Sequence, residues 1–268
     1  MKYILIVTLI MLSHHGYSQL INPTGKTLQQ RVTLPTGYTR VSTAAGSFGA
    51  YLQNMPLLPN GSMVHYYNGQ VKPNNGIYVA VVDMNIGTKD LQQCADVIMH
   101  ARAEYLYKQS KRDKIHFTLT SGFVAYYSKW KDGYRMEVKG NKVSWVKKQA
   151  AGDSYASFME YMDMIYTYCG TLSMSRELKA IKYEDIQPGD VLIKGGSPGH
   201  AELVMDVAKD KQGNKIYLLA QSYMPAQQMQ ILANPKNRQF SPWYEAKGST
   251  IFTPEWDFIS DQVMRFVE

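Results

Sequence analysis

The chain has 268 residues, 45% of them hydrophobic and 19% charged, a globular composition that excludes a disordered or fibrous chain. The formal net charge is +7, and two Cys are too few for a disulfide-stapled scaffold. Outside residues 4–12 no apolar run approaches the ~18 residues of a membrane-spanning helix, so no integral membrane segment is expected in the mature chain.

Met1-Lys2, the apolar run Ile4–Leu12 broken only by Thr8, and a polar exit through Ser18 read as a signal peptide cut before Gln19. No Cys follows that run, so a lipid anchor is not expected. The chain is expected to be exported, to the periplasm or outside the cell, as a soluble protein. Residues 19–268 carry no internal repeat and no linker, and read as a single α+β domain.

Residues 47–76 are rich in Gly, Pro and Asn and read as loops. Residues 77–84 are a near-continuous β-branched run that suits a strand buried on both faces. A helix is expected over about 89–109, capped by Thr88 or Asp90, with Leu91, Cys94, Ala95, Ile98, Ala101, Arg102 and Tyr105 on one face. Cys94 then lies near a helix N-terminus and faces the body of the protein. Residues 115–148 read as a β-rich insertion, with a hairpin turning at Gly140-Asn141. Helices are expected at 154–168 and 175–180. Strands follow at Val191–Lys194, His200–Ala208, Ile216–Gln221 and Met229–Leu232.

The segment Gln187-Pro-Gly-Asp-Val191, the Gly-rich turn 195–199, and the strand opening with His200 form a pattern that resembles the NlpC-type and CHAP-type cell-wall cysteine hydrolases. The remainder of the chain resembles a family of secreted, uncharacterised bacterial proteins, a domain of unknown function. The first resemblance implies a papain-like fold, in which a Cys-bearing helix packs on a small antiparallel sheet. Carried over by position, it implies Cys94 as nucleophile, His200 as base and Gln221 as the group that orients the imidazole. The residues around Cys94 do not repeat that family's usual nucleophile motif.

The chemistry is consistent with those residue types. A helix N-terminus and a nearby His favour a thiolate, the His moves the proton, and a third polar group sets its tautomer. Three states of Cys94 and Cys169 stay open: buried thiols, a nucleophile at Cys94, or one disulfide. Their helical settings favour the unbonded forms. Glu202 and Asp206 share the period-two face of His200 and are alternative orienting groups. Asp190 reads as an acceptor for turn amides.

Candidate substrate-binding residues are Arg102, two turns from Cys94, for a carboxylate, Trp130 and Trp243 for stacking on a glycan, and Ser222, which follows Gln221. Ion pairing along the helix for Arg102, and core packing for the two Trp, are the plain alternatives. His100 and Glu104 are four apart but lack a third metal ligand, so no metal is expected. No phosphate-cradling loop, dinucleotide fingerprint or Ser elbow is present, so no cofactor is expected. Nucleic acid is not an expected partner after export. The reading is a secreted cysteine hydrolase or amidase acting on peptide or amide bonds, with a cell-wall peptide or glycan as partner. A non-catalytic envelope-binding protein on the same scaffold is the alternative.

Overall fold

The computed structural model describes residues 20–267. The expected signal peptide falls on residues 1–18, outside the described residues. The body is a mixed α/β structure around one large antiparallel sheet. Its main path runs Tyr78–Val81, Gln230–Leu232, Lys215–Gln221, His200–Lys209, Val191–Lys194, Val263–Phe266 and Leu178–Ala180. Two short strands, Thr39–Arg40 and Tyr244–Glu245, extend it beside His200–Lys209 and Lys215–Gln221.

Strand His200–Lys209 is the centre of this sheet, buried at every position but Lys209. Side chains alternate across a strand, so a strand buried on both faces needs two apolar covers. Ala201, Leu203 and Met205 pack into the core beneath the helices. Val204 and Val207 pack with Leu192, Tyr217, Ile251 and Phe258 on the other side. The second cover is the hairpin Thr250–Phe252 and Asp257–Ile259.

The helix Cys94–Lys108 packs against His200–Lys209 and Lys215–Gln221. It is buried nearly all round, which places it inside the core instead of on a solvated surface. It starts at Cys94, later than the cap residues Thr88 or Asp90 would place it. Asp90 is engaged elsewhere: its carboxylate accepts from the Ala226 and Gln93 side, at 2.7 Å from the Ala226 N–H and 3.2 Å from Gln93 Nε2. Gln93 takes the N-cap position, and its N–H donates to Asp96 Oδ2 at 3.0 Å. Cys94 is thus the first residue of the helix.

Residues 115–148 form two small hairpins, His116–Thr118 with Val124–Tyr126 and Tyr134–Lys139 with Lys142–Lys147, joined by the helical turn Tyr127–Lys131. Helix Tyr155–Tyr168 begins where its pattern predicts, with Ser154 Oγ accepting from the Ser157 N–H. The third helix does not cover 175–180. It covers Thr171–Glu177, and Leu178–Ala180 instead pairs with the C-terminal strand Val263–Phe266. Among the described residues no helix is long and apolar enough to cross a membrane.

Asp206 turns out to tie the N-terminal segment to the sheet. It is fully buried and accepts from Arg40 Nε and Gln53 Nε2, both at 2.7 Å. Asp206→Ala strands both donors, so unfolding stability is expected to fall by about 2–3 kcal/mol. Urea denaturation measures it, and a loss below about 0.5 kcal/mol contradicts the anchoring role.

Candidate active site

The two strands that end nearest the Cys94 helix each contribute one polar residue. His200 is the first residue of its strand and Gln221 the last of the neighbouring one. Antiparallel pairing brings the start of one strand beside the end of the next. His200 is 1% exposed, and its Nε2 lies 2.8 Å from Gln221 Oε1.

The orientation of the Gln221 amide is decided one step further out. Its Nε2 donates to Glu255 Oε2 at 2.6 Å, and Lys72 Nζ donates to the same oxygen at 2.6 Å. A carboxylate only accepts, so the amide must present its NH2 to Glu255 and its oxygen to the imidazole. His200 Nε2 therefore carries the proton and donates it to Gln221. This leaves Nδ1 as the ring nitrogen available to a nucleophile.

The Cys94 side chain acts on that ring. Burial alone lowers the His200 pKa, but hydrogen bonding and electrostatic interaction with Cys94 and Glu202 outweigh burial and raise it to about 10. Glu202 Oε1 lies 3.6 Å from His200 Nε2 and accepts from Thr253 Oγ1 at 2.7 Å. Glu202 is fully buried, and burial raises its own pKa, partly offset by His200. Aromatic rings surround the imidazole: Tyr223 at 4.9 Å, Trp256 at 5.5 Å and Phe258 at 6.0 Å between centroids. The strand end is thus closed from water on one side and open on the other.

The open side is a cleft of about 410 Å³. Cys94, Ala95 and Asp96 form one wall, the turn Gly196–Gly199 and His200 another, and Tyr223, Met224 and Trp256 the rim. The first amides of a helix have no intrahelical acceptor and carry partial positive charge. The residues of that first turn, Cys94 to Asp96, line the cleft. Asp96, 6% exposed, has its pKa raised to about 8 by burial, partly offset by the Gln93 amide.

The structure brings Cys94, His200 and Gln221 together. The four candidate substrate-binding residues lie outside the lining of the cleft that Cys94 and His200 border. Arg102 sits over the rings of Phe48, Tyr105 and Phe266 at 5.1–5.5 Å and lines a different cavity, with Thr43 and Pro188. Trp130 is buried, donates from Nε1 to Ser157 Oγ and packs under Arg135. Trp243 is fully buried and donates from Nε1 to the Thr33 carbonyl. Ser222 is fully buried and donates to the Gln227 carbonyl at 2.8 Å. None of these four lines the Cys94 cleft.

Both cysteines are free thiols. Cys169 caps the end of helix Tyr155–Tyr168 and also borders the cleft, and burial pushes its thiol well up. Asp190 holds Arg265 through two hydrogen bonds and accepts from the Gln187 N–H, a structural use. His100 Nδ1 pairs with Gln92 Oε1 at 2.9 Å, and its Nε2 is 3.9 Å from Glu104. Among the described residues no group of three or more metal-ligating side chains converges.

Residues 28–265 match the model of a family described as a domain of unknown function (4846). No curated protein and no solved structure gives a match.

Proposed function

The chain belongs to this domain-of-unknown-function family, whose description carries no activity, and from the cleft alone we propose that it is a papain-like cysteine hydrolase or amidase acting on peptide or amide bonds. The observation that carries this reading is the order Cys94–His200–Gln221, with the thiol at the first turn of a buried helix and the far ring nitrogen held by an amide of fixed orientation.

In the proposed reaction the Cys94 sulfur attacks the substrate carbonyl carbon and forms a C–S bond. The oxyanion gains the N–H groups of the first helical turn. The His200 imidazolium then gives its proton to the leaving nitrogen as the C–N bond breaks. Water, deprotonated by the neutral imidazole, cleaves the resulting thioester and restores the thiol and the imidazole. Gln221 keeps the Nε2 proton in place, so that Nδ1 does the proton transfer. The expected export places such an enzyme in the cell envelope, and peptide or amide bonds of peptidoglycan are the proposed substrates.

The test is incubation of the wild-type protein with peptidoglycan fragments and short peptide amides, with mass spectrometry of the products. New free carboxylates that Cys94→Ala does not produce are expected. No cleavage of any fragment contradicts the reading. Gln221→Ala transfers no proton itself and is expected to lower kcat about tenfold with little change in KM. An unchanged kcat would remove Gln221 from the site.

A further inference from the structure

The support behind Gln221 comes from two segments outside the helix and strands of the site. Glu255 stands in the turn of the hairpin Thr250–Phe252 and Asp257–Ile259, and Lys72 follows an isolated bridge between His65 and Val71. Lys72 and Glu255 are 183 positions apart, and Glu255 and Gln221 are 34 apart. The Lys72 side chain is buried, at 5% exposure. Its ammonium donates to Glu255 Oε2 at 2.6 Å and, in the amide orientation that satisfies the neighbours, to Gln227 Oε1 at 3.1 Å. The centroid of the Tyr223 ring lies 5.7 Å from it.

A lysine is almost never buried unless it is paired. Stability does not explain a buried ion pair, since apolar side chains of similar size serve a fold as well or better. What this pair does is specify direction. An ammonium only donates, so Glu255 Oε2 accepts from Lys72, and the same oxygen is the acceptor for Gln221 Nε2 at 2.6 Å. Gln221 is fully buried, so no solvent competes for its amide. Turned over, that amide would aim its NH2 at His200 Nε2 and oppose an imidazolium there.

We propose that Lys72 and Glu255 are positioning residues for His200: their ion pair locks the Gln221 amide with its oxygen toward the imidazole, and so holds the protonated ring that keeps Cys94 a thiolate. The last link rests on the reading of Cys94 as a nucleophile, whereas the lock on the imidazole does not. The titratable groups that face the ring are Cys94, Glu202 and Tyr223, and the Glu255 charge acts on the last two. Glu202 Oε1 is farther from His200 Nε2, at 3.6 Å, than Gln221 Oε1, at 2.8 Å. The amide is therefore the nearer partner of that nitrogen, and its orientation is what the ion pair controls.

The test compares the wild type with the paired variant Lys72→Met/Glu255→Met, which removes both charges together and leaves the net charge of the site unchanged. Histidines are labelled with 15N, and the His200 signals are identified by their loss in His200→Ala. In the paired variant His200 is expected to bind its proton at least ~10-fold less tightly. Iodoacetamide labelling of Cys94 at pH 6 is expected to slow about tenfold, with the rate at pH 9 within about twofold of wild type. The conservative variant Glu255→Gln keeps an oxygen for both donors and is expected to restore both readouts to within about threefold of wild type. A second measurement serves if the paired variant does not fold. In the Cys94→Ala protein, at a pH where His200 is neutral, the 15N shifts are expected to place the ring proton on Nε2. A proton on Nδ1 there overturns the proposal. So does a folded paired variant with wild-type His200 titration and labelling, or a Glu255→Gln protein that loses as much as the paired one. If His200 shifts as expected but the wild type neither labels at Cys94 nor cleaves any amide, the lock stands and the hydrolase reading falls.

Discussion

Cys94→Ala is expected to reduce hydrolysis by at least ~10³-fold while leaving the fold almost unchanged. The side chain is 8% exposed and borders an open cleft, so loss of its sulfur leaves little cavity and costs about 1 kcal/mol. The catalytic loss is large because no other group can take its place. Cys169 shares the cleft, but it sits at the end of its helix and burial pushes its thiol up, the opposite of what a nucleophile needs. His200→Ala acts on the same step, so the double variant should be no worse than the poorer single one. Thermal unfolding and a product assay on the same samples check both halves. A protein that loses activity only in proportion to lost folded fraction contradicts the assignment.

His200→Ala should also change how stability depends on pH. Burial lowers the His200 pKa, but contact with Cys94 and Glu202 outweighs it and raises the folded imidazole from its ordinary 6.5 to about 10. A raised folded pKa means that the folded state binds the proton more tightly. Its stabilising contribution is complete below pH 6.5 and is lost as pH rises toward 10. Within that window the slope reaches up to about 1.4 kcal/mol per pH unit. Asp96, raised from 3.8 to about 8 by burial, loses stability in the same direction over a lower range. The difference between the wild-type and His200→Ala proteins isolates the imidazole. Urea unfolding at pH 6, 8 and 10 should show the wild type losing its advantage over the variant stepwise. A constant difference across that range contradicts a charged His200 held by Cys94 and Glu202.

Much of the sheet was legible because its strands are short apolar runs with turn residues between them. Val191–Lys194, the start of the strand at His200, and the strand ending at Gln221 stand where the alternation places them. Helix Tyr155–Tyr168 carries its own cap, Ser154, and its boundary followed from local chemistry. The start of the Cys94 helix did not, because the competing acid Asp90 is taken by residue 226, a contact 136 positions away. The C-terminal strand Val263–Phe266 was not legible either. It is short, carries Arg265, and gains its place only by pairing with two strands from elsewhere in the chain.

In the candidate site, Cys94, His200 and Gln221 were named by the resemblance, and His200 and Gln221 stand at the strand ends that the sequence pattern gives them. The outer support was hidden. Glu255 reaches Gln221 from 34 positions further along, through a covering hairpin with no motif of its own. Arg102 illustrates the reverse error of reach. It lies two turns along the helix from Cys94, against the rings of Phe48 and Phe266, which are far apart in the chain, and it lines a different cavity. Aromatic content likewise says nothing about direction. Trp130 and Trp243 point into the core, whereas Tyr223 and Trp256 border the cleft.

Alkylation reads directly whether Cys94 is a reactive thiol governed by His200. Native protein is treated with iodoacetamide between pH 5 and 9, and the labelled peptide is identified by mass spectrometry. An ordinary thiol, with a pKa of about 8.5, loses about tenfold in rate for each pH unit below that value. Cys94 is expected to label readily at pH 6, well ahead of Cys169, and His200→Ala is expected to abolish the labelling at that pH while leaving reaction at pH 9. Labelling of Cys94 only after denaturation, or a pH profile that His200→Ala leaves unchanged, contradicts the account.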